Sequence, residues 1–300
     1  MSNKYNDKEL ALKSIQEGSW NVLKASSKLC KDRDVMLAAV KNQGYALEYA
    51  SKNLRNDREI VREAVSNSGF VLAYASEELQ NDKEIVLLAT KNYGYSFKYA
   101  SEELRSNKEV VLAAVNYAGY ALAYASKELQ NDKEVVLAAV TNTGRALEYA
   151  SEELRKNRQL VLTAVSNYGL ALCYAPELNE DREIVLNAVK NNGYALRYAS
   201  KKLQNDKEIV IAAVLNNGCA LEYASKEIKS DKEVVLSAMI ARSDALRYAS
   251  EELRNDEEIL NIYKLGLDSS TQTEYLNSVK QLLINLNKEK DNNGKKLIKK

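Results

Sequence analysis

Apolar residues return along this chain in a fixed plan. One copy reads Val110, Val111, Leu112, Ala114, Val115, with Asn107, Lys108 and Glu109 in front and Gly119 behind. The plan returns every 25 residues, marked by Asp32, Asp57, Asp82, Asn107, Asp132 and Asn157; the step to Asp181 is one residue short, and the period resumes at Asp206, Asp231 and Asp256. Counting offsets from the marker as zero, apolar residues fill offsets 3, 4, 5, 7 and 8. That stripe is too wide for one buried face, so the spacing predicts a helix lying between neighbours. Alanine at offset 7 in every copy from Ala39 to Ala238 predicts close helix–helix approach. Asn81 with Glu84, Asn131 with Glu134 and Asn205 with Glu208 read as capping boxes at the helix start, with Asn as N-cap. Gly44, Gly69, Gly94, Gly119, Gly144, Gly169, Gly193 and Gly218 read as helix stops in the left-handed conformation. A second, shorter helix follows, as in Tyr120 to Ala125, and Ser126 is placed to cap one more turn ending near Leu129. Helices of about 10 and 7 residues are marginal alone, so stability must come from stacking.

A fixed period of this size is the signature of a stacked array. The expected fold is all-α: an α-solenoid of about ten 25-residue helix–turn–helix repeats over residues 1–267. Strands of a β-helix fit poorly, because the Val-Val-Leu runs follow helix caps and lead into Ala-Ala. The ends depart from the middle. The first copy, from Asp7, has Trp20 and Lys24; the last, from Asp256, loses the pattern after Ile262. Tyr275, Leu276, Val279, Leu282, Leu283 and Leu286 then recur at helical spacing, which predicts a capping helix over 268–288. Residues 289–300 form a polar, Lys-rich tail expected to be disordered.

Composition changes the picture mainly by exclusion. A length of 300 residues ordinarily suggests about two domains, but a solenoid grows by stacking and needs no second core. The net charge is +1, with six lysines concentrated from Lys288 to Lys300, which argues against a dedicated nucleic-acid binder. There is no histidine, so the commonest general base and metal ligand is missing. Cys30, Cys173 and Cys219 form no C-x-x-C and read as free thiols. The polar N-terminus lacks an apolar signal-peptide core, and no apolar run approaches the ~20 residues of a membrane span. The expected location is cytoplasmic, with export by a route lacking a cleavable signal left open. Paired acids such as Glu77-Glu78 and Glu152-Glu153 do not face one another on a helix and read as a solvated surface. No phosphate-loop, nucleophile-elbow or zincin motif is present, and no enzymatic activity, cofactor or metal is expected.

The string D-K-E-[VI]-V-L-A-A-V followed by G-Y-A-L-x-Y-A-S-x-E-L-x-N-D resembles the tandem repeat family known as domain of unknown function 4116, over roughly residues 7–267. The resemblance implies an all-helical tandem repeat. It implies no catalytic or binding residue.

Three features bear on function. Tyrosine holds offset 17 in nine consecutive copies, from Tyr49 to Tyr248. A structural column, each ring packed between repeats with its hydroxyl on a neighbour's backbone, is the leading reading. An aromatic ladder for single-stranded nucleic acid is the alternative. Asparagine recurs at offset 10 (Asn42, Asn67, Asn92, Asn142, Asn167, Asn191, Asn216), where last-turn carbonyls lack partners, and predicts a hydrogen-bonded ladder. Offsets 9, 11, 13 and 16 vary while the frame stays fixed, and segment 145–180 departs from it repeatedly, with Asn157, Gln159 and the single proline, Pro176. The expectation is a monomeric, non-enzymatic scaffold that binds another protein, with Arg145, Leu170, Tyr194 and Arg197 near the centre of the interface. A single-stranded nucleic-acid binder, working through the tyrosines and the Lys-rich tail, is the alternative.

Overall fold

The computed structural model describes residues 8–267 together with Thr273, Glu274, Asn277 and Gln281. Those described are all-α, with no strand among them. The chain divides into two compact units, Met1–Leu154 and Arg155–Lys300. Within each unit the ten-residue helices of successive copies pack side by side in chain order.

Each full repeat holds three elements where the sequence pattern suggested two. In one copy these are the α-helix Lys207–Asn216, the 3₁₀ helix Gly218–Tyr223 and the short α-helix Lys226–Lys229. The long helix buries offsets 3, 4, 7 and 8 completely, as Ile209, Val210, Ala213 and Val214 show. Offset 5 stays partly outside: Leu112 is half-buried and Leu137 exposed. The 3₁₀ helix adds Ala220 and Leu221 to the core, and the short helix adds Ile228. Serine caps that short helix as expected; Ser126 Oγ accepts from Leu129 N–H at 3.4 Å.

Two sequence expectations shift. The N-cap of the long helices is the marker residue, Asp or, at 107 and 157, Asn, and not the asparagine that precedes it in copies such as Asn81, Asn131 and Asn205. Asp132 Oδ1 accepts from Glu134 N–H at 3.0 Å and Val135 N–H at 3.1 Å. Asn131 instead faces the next copy, where its Oδ1 accepts from the Ser151 hydroxyl. The glycines at offset 12 are also not left-handed; among the described residues only Gly18 has a positive φ, 88°. They are required by contact. A β-carbon at Gly193 would lie 2.4 Å from the Ala213 carbonyl oxygen, and one at Gly119 would lie 2.5 Å from that of Ala139. The offset-7 alanine and the offset-12 glycine of the preceding copy thus form one close approach.

Three sets of polar contacts hold successive copies in register, and a fourth closes each copy on itself. The asparagine ladder is present: Asn92 Nδ2 donates to Val65 O at 2.9 Å, and Asn216 Nδ2 to Lys190 O at 3.0 Å. In return Gly193 N–H donates to Asn216 Oδ1 at 2.7 Å, and Gly119 N–H to Asn142 Oδ1 at 2.8 Å. The offset-19 serine N–H donates to the preceding copy's offset-23 carbonyl, as Ser76 does to Arg55 at 2.9 Å. Pro176 has no N–H to give there; the shortened copy closes with the 3₁₀ turn Pro176–Leu178. The offset-23 side chain turns back onto its own 3₁₀ helix. Gln204 Nε2 donates to Leu196 O at 3.1 Å and Lys229 Nζ to Glu222 O at 2.7 Å; in the first copy the Cys30 thiol meets Leu23 O at 3.2 Å. Finally, the offset-1 cation bridges two acids of the next copy: Lys108 reaches Asp132 at 2.7 Å and Glu134 at 2.9 Å, and Lys207 reaches Asp231 at 2.6 Å and Glu233 at 2.7 Å. These pairs are part-exposed and worth little singly, but they fix register.

Thr273, Glu274, Asn277 and Gln281 are helical and exposed. The apolar positions of the expected capping helix and the Lys-rich tail lie outside the described residues. No described helix is long and apolar enough to cross a membrane. Cys30, Cys173 and Cys219 form no disulfide.

Candidate functional site

The nine offset-17 tyrosines are all half-buried. Four of them are covered by an aromatic residue at offset 13 of the preceding copy. Trp20 lies 5.6 Å from Tyr49, Phe70 5.4 Å from Tyr99, Tyr95 6.5 Å from Tyr124 and Tyr194 6.2 Å from Tyr223, centroid to centroid. The last three are edge-on, the geometry a ring quadrupole favours. The expectation of a ring packed between repeats is met. At Tyr248 the hydroxyl departs from the expected backbone bond: its Oη accepts from Arg247 Nη2 at 2.6 Å.

In the first unit this packing leaves an accessible aromatic face. Phe70 touches Tyr45 at 6.3 Å and Tyr93 at 6.2 Å; Tyr95 touches Tyr93 at 5.7 Å and stacks on Tyr120 at 5.4 Å and 14°. Tyr45, Tyr93 and Tyr95 remain 38%, 45% and 37% exposed. Lys98 Nζ lies over this face, 5.6 Å from the Phe70 ring and 4.6 Å from that of Tyr99. The Tyr99 hydroxyl beside it holds the Lys98 ammonium above its ordinary value. Large exposed rings in mutual contact and edged by charge suit an interface anchor. Because the rings already touch, a nucleic-acid base cannot enter between Tyr95 and Tyr120 without parting them.

The four residues singled out by sequence do not all fall together. Arg145 belongs to the first unit, where it is exposed and its Nε lies 3.3 Å from Glu148. Leu170, Tyr194 and Arg197 belong to the second. There the 3₁₀ helices Gly169–Tyr174 and Gly193–Tyr198 pack against each other, leaving Leu170 half-buried and Tyr194 and Arg197 exposed. Sequence reasoning passed over the Phe70–Tyr95 face. Its signal was four aromatics in a row at offset 13: Tyr45, Phe70, Tyr95 and Tyr120.

The family pattern described as "Domain of unknown function (DUF4116)" matches residues 7–55, 57–105, 107–155, 132–180, 157–204, 181–229 and 231–262. The chain belongs to that family. Six of the seven matches span two 25-residue copies, and the overlapping ones start at successive markers, so either pairing of copies satisfies the pattern. No curated protein and no solved structure matches the chain.

Proposed function

We propose that this chain is a non-enzymatic, monomeric repeat scaffold that binds another protein, with the aromatic face around Phe70, Tyr93 and Tyr95 as a principal docking surface. The observation that carries this reading is that face itself: Tyr45, Tyr93 and Tyr95 are each more than a third exposed, and they join through one another and the half-buried Phe70. Aromatic anchors rimmed by charge dominate protein interfaces. Repeat arrays present such surfaces at length, an analogy of fold and not of site. Single-stranded nucleic acid is the weaker reading, since it needs free ring faces and here the rings are taken up by each other.

The test compares three proteins in affinity capture from the native host: the full chain, Tyr93→Ala/Tyr95→Ala, and Tyr194→Ala/Arg197→Glu. Each is first shown to melt as the parent does. Loss of a captured protein with the first variant supports the aromatic face, and loss with the second moves the interface to the second unit. An identical set from all three, or a salt-dependent shift of single-stranded oligonucleotide at low salt, would overturn the proposal.

A further inference from the structure

The second unit contains a cavity of about 650 Å³ between successive 3₁₀ and short helices, and its lining is strongly charged. Four cations face it (Arg197, Lys201, Lys226 and Lys229) against two carboxylates, Glu222 and Glu227. Glu227 is engaged locally: its own backbone N–H and the Ser225 hydroxyl hold its carboxyl below the usual range. Lys229 is committed to a backbone carbonyl, that of Glu222. Burial pushes its ammonium below the ordinary value and the nearby Lys201 charge adds to this, while the Glu222 charge opposes it. Lys201 donates to Gln204 Oε1 at 3.0 Å, a neutral partner. The contrast is with offset-1 cations such as Lys108 and Lys207, which each hold two carboxylates of the next copy.

The sequence supplies an independent sign. Offsets 20 and 21 carry paired acids in Glu77-Glu78, Glu102-Glu103, Glu152-Glu153 and Glu251-Glu252. In one copy the pair is inverted to Lys201-Lys202, and the next copy contributes Lys226. Here a double inversion coincides with a cavity and with Arg197 across it.

From this geometry we infer that the cavity binds a phosphomonoester dianion. The net excess of two positive charges in the lining matches the charge of about −1.5 to −2 that a phosphomonoester carries at neutral pH. Lysines supply point charges and Arg197 a planar fork, the combination suited to phosphoryl oxygens. Tyr223, held edge-on by Tyr194 at 6.2 Å, offers an apolar wall to the group that carries the phosphate. That group is a small molecule or a phosphorylated side chain; the shared chemistry is the monoester. The inference goes beyond the protein-docking reading, because the cavity lies in the other unit and its test needs no partner protein.

The experiment is calorimetric titration of the full chain with inorganic phosphate, O-phosphoserine and a phosphoserine-containing peptide at low salt. Amide resonances are followed in parallel. Saturable binding at one site is expected, with shifts at Lys201, Ser225 and Lys226. Lys201→Ala/Lys226→Ala should weaken binding at least tenfold. Lys127→Ala, which removes the same offset and the same glutamine contact in the first unit, should leave it unchanged. Tighter binding of the peptide than of free phosphoserine assigns the site to phosphorylated proteins, and the reverse assigns it to small esters. Absence of saturation, shifts confined elsewhere, equal loss with Lys127→Ala, or equal binding of glutamate would each overturn the inference. So would an oligonucleotide of phosphodiesters that binds where phosphoserine does not.

Discussion

Asn216→Ala removes one rung of the ladder that joins copies. In the parent, Asn216 Nδ2 donates to Lys190 O at 3.0 Å, and its Oδ1 accepts from Gly193 N–H at 2.7 Å. Each such bond contributes about 1 kcal/mol net. The Lys190 carbonyl is at the surface and can recruit water when the asparagine is gone. Gly193 is buried, and its N–H faces the space the side chain vacates. An unsatisfied buried donor costs about 1–3 kcal/mol. The expected loss is therefore about 2–3 kcal/mol. Asn216→Asp is a sharper probe: it keeps the acceptor for Gly193 but turns the donor into an oxygen facing the Lys190 carbonyl, so it should destabilise at least as much. Long arrays depart from two-state unfolding, so the assay is native-state hydrogen exchange at the Gly193 amide, supported by denaturant melts. Protection at Gly193 should fall 30- to 150-fold, the range that about 2–3 kcal/mol implies. Unchanged protection in Asn216→Ala, with the melt intact, would refute the claim that the asparagine column carries the register.

Two further outcomes follow from the frame. Gly193→Ala puts a β-carbon 2.4 Å from the Ala213 carbonyl oxygen and should cost at least the 1–3 kcal/mol of overpacking, read by thermal unfolding; a change near zero would return the glycine to a purely conformational role. At Asp181 the Arg158 guanidinium, outweighing burial and aided by the Ile184 and Glu183 N–H groups, holds the carboxyl below its usual value. That stability is present above the unfolded aspartate value of about 4 and lost as pH falls through the lower folded value. Asp181→Ala should cost about 0.5–2 kcal/mol at neutral pH as a lost cap, whereas Asp181→Asn keeps the cap, as Asn157 does for Leu160 N–H at 3.2 Å, and should cost less while flattening the acid limb of stability; equal losses, or an unaltered acid limb, would contradict the assignment.

The repeat, the helix positions and the asparagine ladder were legible because each is a local pattern printed many times. The errors arose where two physical causes leave the same letter. Asn81 and Asp82 are both good caps and adjacent; what separates them is that Asn131, Asn81 and Asn205 are drawn to the next copy's serine, which one copy alone does not reveal. Glycine at offset 12 satisfies a left-handed stop or a missing β-carbon equally well, and only the facing Ala213 carbonyl decides. Offset 23 escaped notice because Cys30, Arg55, Gln80, Gln204 and Lys229 share no chemical class. They share reach and a donor, which is all that an exposed 3₁₀ carbonyl asks. For the candidate site, sequence found the variable offsets but not their unequal duties.

Those duties separate once the packing is known. Offset 13 covers the next copy's tyrosine, so Phe70, Tyr95 and Tyr194 serve the array as well as any partner. A polar substitution at Phe70, Tyr95 or Tyr194 would uncover a half-buried ring. Offset 16 carries no such duty: Lys98, Arg197, Glu222 and Arg247 are all exposed. The same holds at offset 20, where Glu77, Lys201 and Lys226 are exposed. Where offset 13 holds a ring it carries a packing duty that offsets 16 and 20 do not, which leaves those two free in charge. An array built this way can keep its frame while charges four residues apart change, as they do from Arg197 and Lys201 in one copy to Glu222 and Lys226 in the next.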